Sequence, residues 1–92
     1  MKIDITKDFR LDLDSQIRYI SKDKPKAARN FKADLIKNIK KDLKNPFYFK
    51  SRYYNDENIR DYVFKGYTIV YYIDIKTNCI FVFGFIKYKD SL

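Results

Sequence analysis

The side chains with which this 92-residue chain could do chemistry are cations and phenols. Arg52, Arg60, Lys65, Lys87 and Lys89 fall in one long irregular stretch or at the ends of apolar runs. Such a set could stabilise charge on a phosphorane-like transition state and donate protons weakly, which is the requirement for metal-free RNA cleavage. An ordinary solvated cation is the plainer role for each. Tyr53, Tyr54, Tyr62, Tyr71 and Tyr72 could stack on unpaired bases, or simply pack as strand residues do. The carboxylates are scattered: Asp12 with Asp14, or Asp56 with Glu57, would hold a divalent ion weakly and read better as solvated surface groups.

Other chemistry is excluded by composition. The chain has no histidine, so Ser-His and Cys-His nucleophilic pairs and the commonest metal ligand are missing together. A single cysteine, Cys79, cannot build a structural zinc site, and two glycines, Gly66 and Gly84, cannot supply a phosphate-binding loop. No cofactor and no metal are expected.

Twenty Lys and Arg against twelve Asp and Glu leave a formal charge of +8. That balance favours polyanionic partners, whether nucleic acid, ribosome or an acidic protein segment. Lys outnumbering Arg, with abundant Ile, Asn, Tyr and Phe, is also what an AT-rich coding sequence produces. The length is that of one domain, spanning 1–92 and near the lower end of what a single core stabilises without disulfides. Eight Phe and nine Tyr concentrate apolar area in few residues and make such a core feasible. Lys2, Asp4, Lys7 and Asp8 break up the start, and no apolar run reaches spanning length, so a soluble cytoplasmic protein is expected.

The elements that must position these groups follow from periodicity. Lys2 to Thr6 alternates as a short half-buried strand, with Ile3 and Ile5 on one side. From Asp8 to Ser21, Phe9, Leu13, Ile17 and Ile20 recur at helical spacing. Ser21 to Pro25 is a turn, with Asp23 placed to cap a second helix and Pro25 in its first turn. The second helix runs to about Lys44 on the stripe Ala28, Phe31, Leu35, Ile39 and Leu43, widened by Ile36; Ala27 and Ala28 are small enough for another backbone to approach. The short connection makes the helices an antiparallel hairpin, and Asn45-Pro46 ends the second one. Phe47 to Asn58 has no clean period and reads as an irregular loop. Ile59 to Phe64, Tyr67 to Asp74 and Cys79 to Tyr88 read as strands joined by turns at Lys65-Gly66 and Lys76-Thr77-Asn78.

The order β-α-α-β-β-β defines an α+β fold, a two-helix hairpin packed on a mainly antiparallel twisted sheet. In the last two strands apolar and aromatic residues occupy both parities, so both sheet faces carry more aromatic surface than so small a domain hides easily. That surplus points to a partner.

These residues in this order resemble the RelE/ParE superfamily of type II toxins from bacterial toxin–antitoxin modules. The resemblance spans nearly the whole chain. It rests on the first strand Lys2 to Thr6, the Ala27-Ala28-x-x-Phe31 pattern, Pro46 after the second helix and Arg60 opening the next strand. Tyr67-x-Ile69-x-Tyr71-x-Ile73 and the closing Ile80-x-Val82 complete it. It implies a growth-inhibiting toxin, of a kind linked to plasmid stabilisation, neutralised by a cognate antitoxin whose disordered acidic tail folds across the toxin surface.

The superfamily divides by target. Ribonuclease members cleave messenger RNA on the ribosome with Arg and Lys residues, one an Arg directly after the Gly-Tyr that opens the third strand; this chain has Thr68 there. A further Arg after the last strand is replaced by Lys89, with Tyr88 as the nearby aromatic. Members like ParE, which poison DNA gyrase, have longer helices, and the long second helix here fits them better. The Gly-Arg that often follows the proline in them is replaced by Phe47-Tyr48-Phe49-Lys50. Gyrase is therefore the expected target, with a ribonuclease, or a non-toxic basic nucleic-acid-binding domain, as the alternatives. A ribonuclease would rely on Arg60, Lys87 and Lys89 as catalytic residues. Arg52, Tyr53, Tyr54, Lys65 and Tyr88 are the expected target contacts.

Overall fold

A computed structural model describes residues 1–50 and 56–87 of the chain. Its elements run β1 (Lys2–Ile5), α1 (Lys7–Ser21), α2 (Pro25–Asp42), a short 3-10 turn (Pro46–Tyr48), β2 (Ile59–Phe64), β3 (Tyr67–Asp74) and β4 (Cys79–Lys87). One sheet holds all four strands in the order β1-β4-β3-β2. Only β1 is parallel to its neighbour, β4; the β2–β3 and β3–β4 pairs are antiparallel. The α+β architecture expected from the pattern is the one observed.

The first strand hands over to the first helix through Thr6. Its Oγ1 accepts from the Phe9 amide at 3.3 Å, capping α1, and donates to the Val82 carbonyl at 3.1 Å, tying that cap to β4. Helix α1 buries Phe9 and Leu13, and α2 buries Ala28, Leu35 and Ile39, each set at the spacing that keeps one helical face inward. Leu43, just beyond α2, is fully buried as well. Between the helices, exposed Lys32 and Asp14 form an ion pair at 2.8 Å. Such a pair contributes about 0 to 1 kcal/mol, so apolar packing holds the hairpin together.

Two local expectations are corrected. Asp23 does not cap α2. The amides of Asp23 and Lys24 both bond back to the Ile20 carbonyl, which holds Asp23 in the turn that closes α1 and leaves Lys24 at the cap position with no side-chain bond. Of the two alanines expected at a close approach, Ala28 is buried and Ala27 is exposed.

The β2–β3 turn is a two-residue one in which Lys65 (φ 48°) and Gly66 (φ 83°) both adopt positive φ. That is the twist a tight hairpin needs, and it sets Phe64 opposite Tyr67. In the next turn Asp74 Oδ1 accepts from the Lys76 and Thr77 amides, and Asn78 takes the left-handed position (φ 55°).

Register decides what faces the helices. Tyr71 pairs with Val82 and Ile73 with Ile80, and all four are fully buried. A β-bulge then intervenes: Val70 pairs with Gly84, leaving Phe83 as the extra residue on β4. The bulge resets the alternation, so that Phe85, and not Gly84, turns toward the helices. There Phe85 stacks on Tyr67 at 5.0 Å and meets Phe9 edge-on at 5.6 Å. Gly84 is required at the bulge, because a Cβ on it would lie 2.9 Å from Val70 Cβ.

Among the described residues no helix lies over the opposite face. The alternation places Val63, Thr68, Val70, Tyr72, Phe81 and Ile86 there, and Val63 (63%) and Ile86 (49%) are the most exposed of them. Phe83, at the bulge, is 40% exposed. The excess of aromatic and apolar residues noted in the sequence is thus divided between a closed core and an open face.

Candidate functional site

Arg60 is the most constrained of the candidate cations. Its register opposite Tyr71 directs it to the helix side of β2, where Nη1 donates to the carbonyls of Phe49 (2.6 Å) and Phe47 (3.2 Å). The guanidinium also lies 5.2 Å from the centre of the Phe47 ring. Two tyrosines complete this clamp. Tyr71, fully buried, donates its hydroxyl to the Pro46 carbonyl, and Tyr62 donates to the Asp42 carboxylate at the end of α2. Phe49 packs edge-on against Tyr62 at 5.1 Å. Burial pushes both phenols well above the ordinary tyrosine range; the Asp42 carboxylate adds to this at Tyr62, while Arg60 partly opposes it at Tyr71. These two tyrosines hold the segment after α2 in place and are not poised to give up protons.

That segment carries the feature sequence reasoning missed. With Pro46 anchored and Phe49 packed inward, Phe47 (51%) and Tyr48 (80%) project to solvent. Two shallow depressions adjoin them, one lined by Lys41, Asp42 and Asn45 beside Tyr48, the other by Lys44, Asn45 and Pro46 beside Phe47 and Tyr48. The available signal was the unbroken Phe47-Tyr48-Phe49 run directly after a helix-ending proline, more aromatic surface than a short turn can bury.

The other candidates lie elsewhere. Lys65, in the hairpin turn, sits 3.8 Å from Asp34 of α2 and over the Phe64 ring. Lys87, opposite Tyr67, extends toward the Tyr19 ring of α1 at 5.6 Å. Arg60 and Lys87 are four residues apart along β3 and on strands two spacings apart, which puts their backbones about 16 Å from each other. Their head groups point to the segment after α2 and to α1, so these two cations do not converge. Arg52, Tyr53, Tyr54, Tyr88 and Lys89 lie outside the described residues.

Thr68 stands on the other side of the sheet. It pairs with Val63 and Ile86 and has an apolar surround on the open face. Among the described residues no helix is long and apolar enough to cross a membrane.

A two-helix hairpin on a small, mainly antiparallel sheet is the fold that the resemblance to the RelE/ParE toxins implies. The model of the ParE toxin family, the toxin of the parDE type II toxin–antitoxin system, matches residues 3–90, and the chain belongs to that family. No individual curated protein matches it.

Proposed function

We propose that this toxin arrests growth by binding DNA gyrase, and that its antitoxin neutralises it by covering the open sheet face. The carrying observation is the separation of the candidate cations among the described residues. Arg60 is committed to two backbone carbonyls, Lys65 adjoins Asp34, Lys87 reaches toward α1, and Thr68 sits among apolar neighbours. Ribonuclease chemistry needs positive groups gathered around one phosphate, and losing such a group typically costs orders of magnitude in rate. Binding a protein target needs none of this. Exposed aromatic anchors beside cations, as at Phe47, Tyr48, Lys41 and Lys44, are the groups that dominate protein interfaces.

The antitoxin follows from the rest of the surface. An apolar face bearing Val63, Phe83 and Ile86 on a molecule of charge +8 suits a segment that supplies apolar side chains to the sheet and acidic ones to its rim. Inducible expression with and without the neighbouring gene, scoring growth, DNA damage signalling and translation separately, tests the reading. Arrest with DNA damage signalling, relieved by the neighbouring gene, is the expected result. Arrest with codon-position-specific messenger RNA cleavage and no damage signal would contradict it.

A further inference from the structure

The two helices divide their charge unevenly. Helix α1 carries Lys7, Arg10 and Arg18 against Asp8, Asp12 and Asp14. Helix α2 carries six cations against two carboxylates, Asp34 and Asp42. Asp42 lies off its outer face and receives the Tyr62 hydroxyl; Asp34 is exposed at the margin of that face and adjoins Lys65. Lys32 likewise points sideways, to Asp14. What remains is one row on the face opposite Ala28, Leu35 and Ile39, made of Lys26, Arg29, Lys37, Lys40 and Lys41. All are exposed, and Asn30 and Ala33 are the neutral residues between them. Among the described residues none of the five is in an ion pair. A lysine-rich composition by itself would load both helices alike, so this segregation calls for a separate cause.

From this arrangement we infer that the outer face of α2 is a binding surface for duplex DNA, distinct from the open sheet face. Lys26 to Lys41 spans about 22 Å at the rise of an α-helix. A duplex presents one negative charge per roughly 1.7 Å of axis, so a row of that length meets more phosphates than it has cations. The row carries no aromatic ring, the group on which single-stranded nucleic acids stack. It offers only Asn30 as a neutral polar contact for 2′-hydroxyls, by which double-stranded RNA is recognised. Phosphate contact without base-reading groups makes the binding independent of sequence. A toxin so equipped is concentrated on DNA whatever its target there, and the inference does not depend on the gyrase reading.

The test is fluorescence anisotropy of the full-length chain with a labelled mixed-sequence DNA duplex across a range of salt. Five cations predict log Kd changing with log salt at a slope magnitude of about 4.5, since each neutralised phosphate contributes about 0.9. The variant Lys37→Gln/Lys40→Gln/Lys41→Gln should bind at least about tenfold more weakly, with the slope smaller by about 2 to 3. Its melting temperature and antitoxin affinity should be unchanged. Lys7→Gln/Arg18→Gln/Lys22→Gln, which removes as much charge elsewhere, should change DNA binding far less. Equal losses in the two variants would overturn the inference, as would RNA duplex of the same sequence binding as tightly as DNA. A triple α2 variant that loses antitoxin affinity by the same factor would also overturn it, giving this face to the antitoxin.

Discussion

Single side chains fasten the segment after α2 to the sheet, and their loss should be felt as stability. Tyr71 is fully buried and its hydroxyl serves the carbonyl of buried Pro46, so Tyr71→Phe strands an acceptor with little change of shape. A cost of about 1 to 3 kcal/mol is expected by urea unfolding, the usual penalty for an unsatisfied buried group. A Tyr71→Phe variant as stable as the parent would show that the bond contributes nothing. Tyr62 and Tyr71 both hold their protons more tightly when folded. Their contribution is therefore intact below about pH 10, the ordinary tyrosine value, and declines above it because the unfolded chain loses these protons first. Between pH 8 and 11 the parent should lose stability more steeply than the Tyr62→Phe/Tyr71→Phe double variant, and identical slopes would contradict this. The sequence marked Arg60 as chemically able but could not show its occupation, because the carbonyls of Phe47 and Phe49 become its neighbours only when β2 is laid beside the turn after α2.

At the level of elements, strands and helices were legible where apolar spacing repeats and illegible where one residue breaks the repeat. Strands β2 and β3 lie where the alternation placed them, and α2 ends within two residues of the expected position. The β4 bulge was hidden, because its cause is the contact of Gly84 with Val70, fourteen positions away and across the sheet. An isolated glycine inside a strand was the one local hint. The cap of α2 failed for a similar reason: the bonds to Ile20 that displace Asp23 depend on how α1 finishes. Gly84→Ala should destabilise by about 1 to 3 kcal/mol, as overpacking does. Val70→Ala should recover only part of that loss in the double variant, since it removes Cγ2, 3.1 Å from the added carbon, and keeps Cβ at 2.9 Å. Additive effects in chemical unfolding would place the strain elsewhere.

Taken whole, the molecule has a helix-covered sheet face that stabilises the fold, an open apolar face, an aromatic projection at Phe47 and Tyr48, and a basic outer helix. Among the described residues Arg60, Lys65 and Lys87 point to different partners, and the proposed reading of a surface that binds rests on that. The most direct measurement is supercoiling of relaxed plasmid by purified gyrase with increasing amounts of the purified toxin, alongside a ribosome-programmed messenger RNA cleavage assay. Binding to gyrase predicts inhibition of supercoiling that the antitoxin reverses and that Phe47→Ala/Tyr48→Ala weakens about tenfold or more, as interface anchors do when truncated, with the messenger RNA left intact. Undiminished supercoiling together with cleaved messenger RNA would contradict the account.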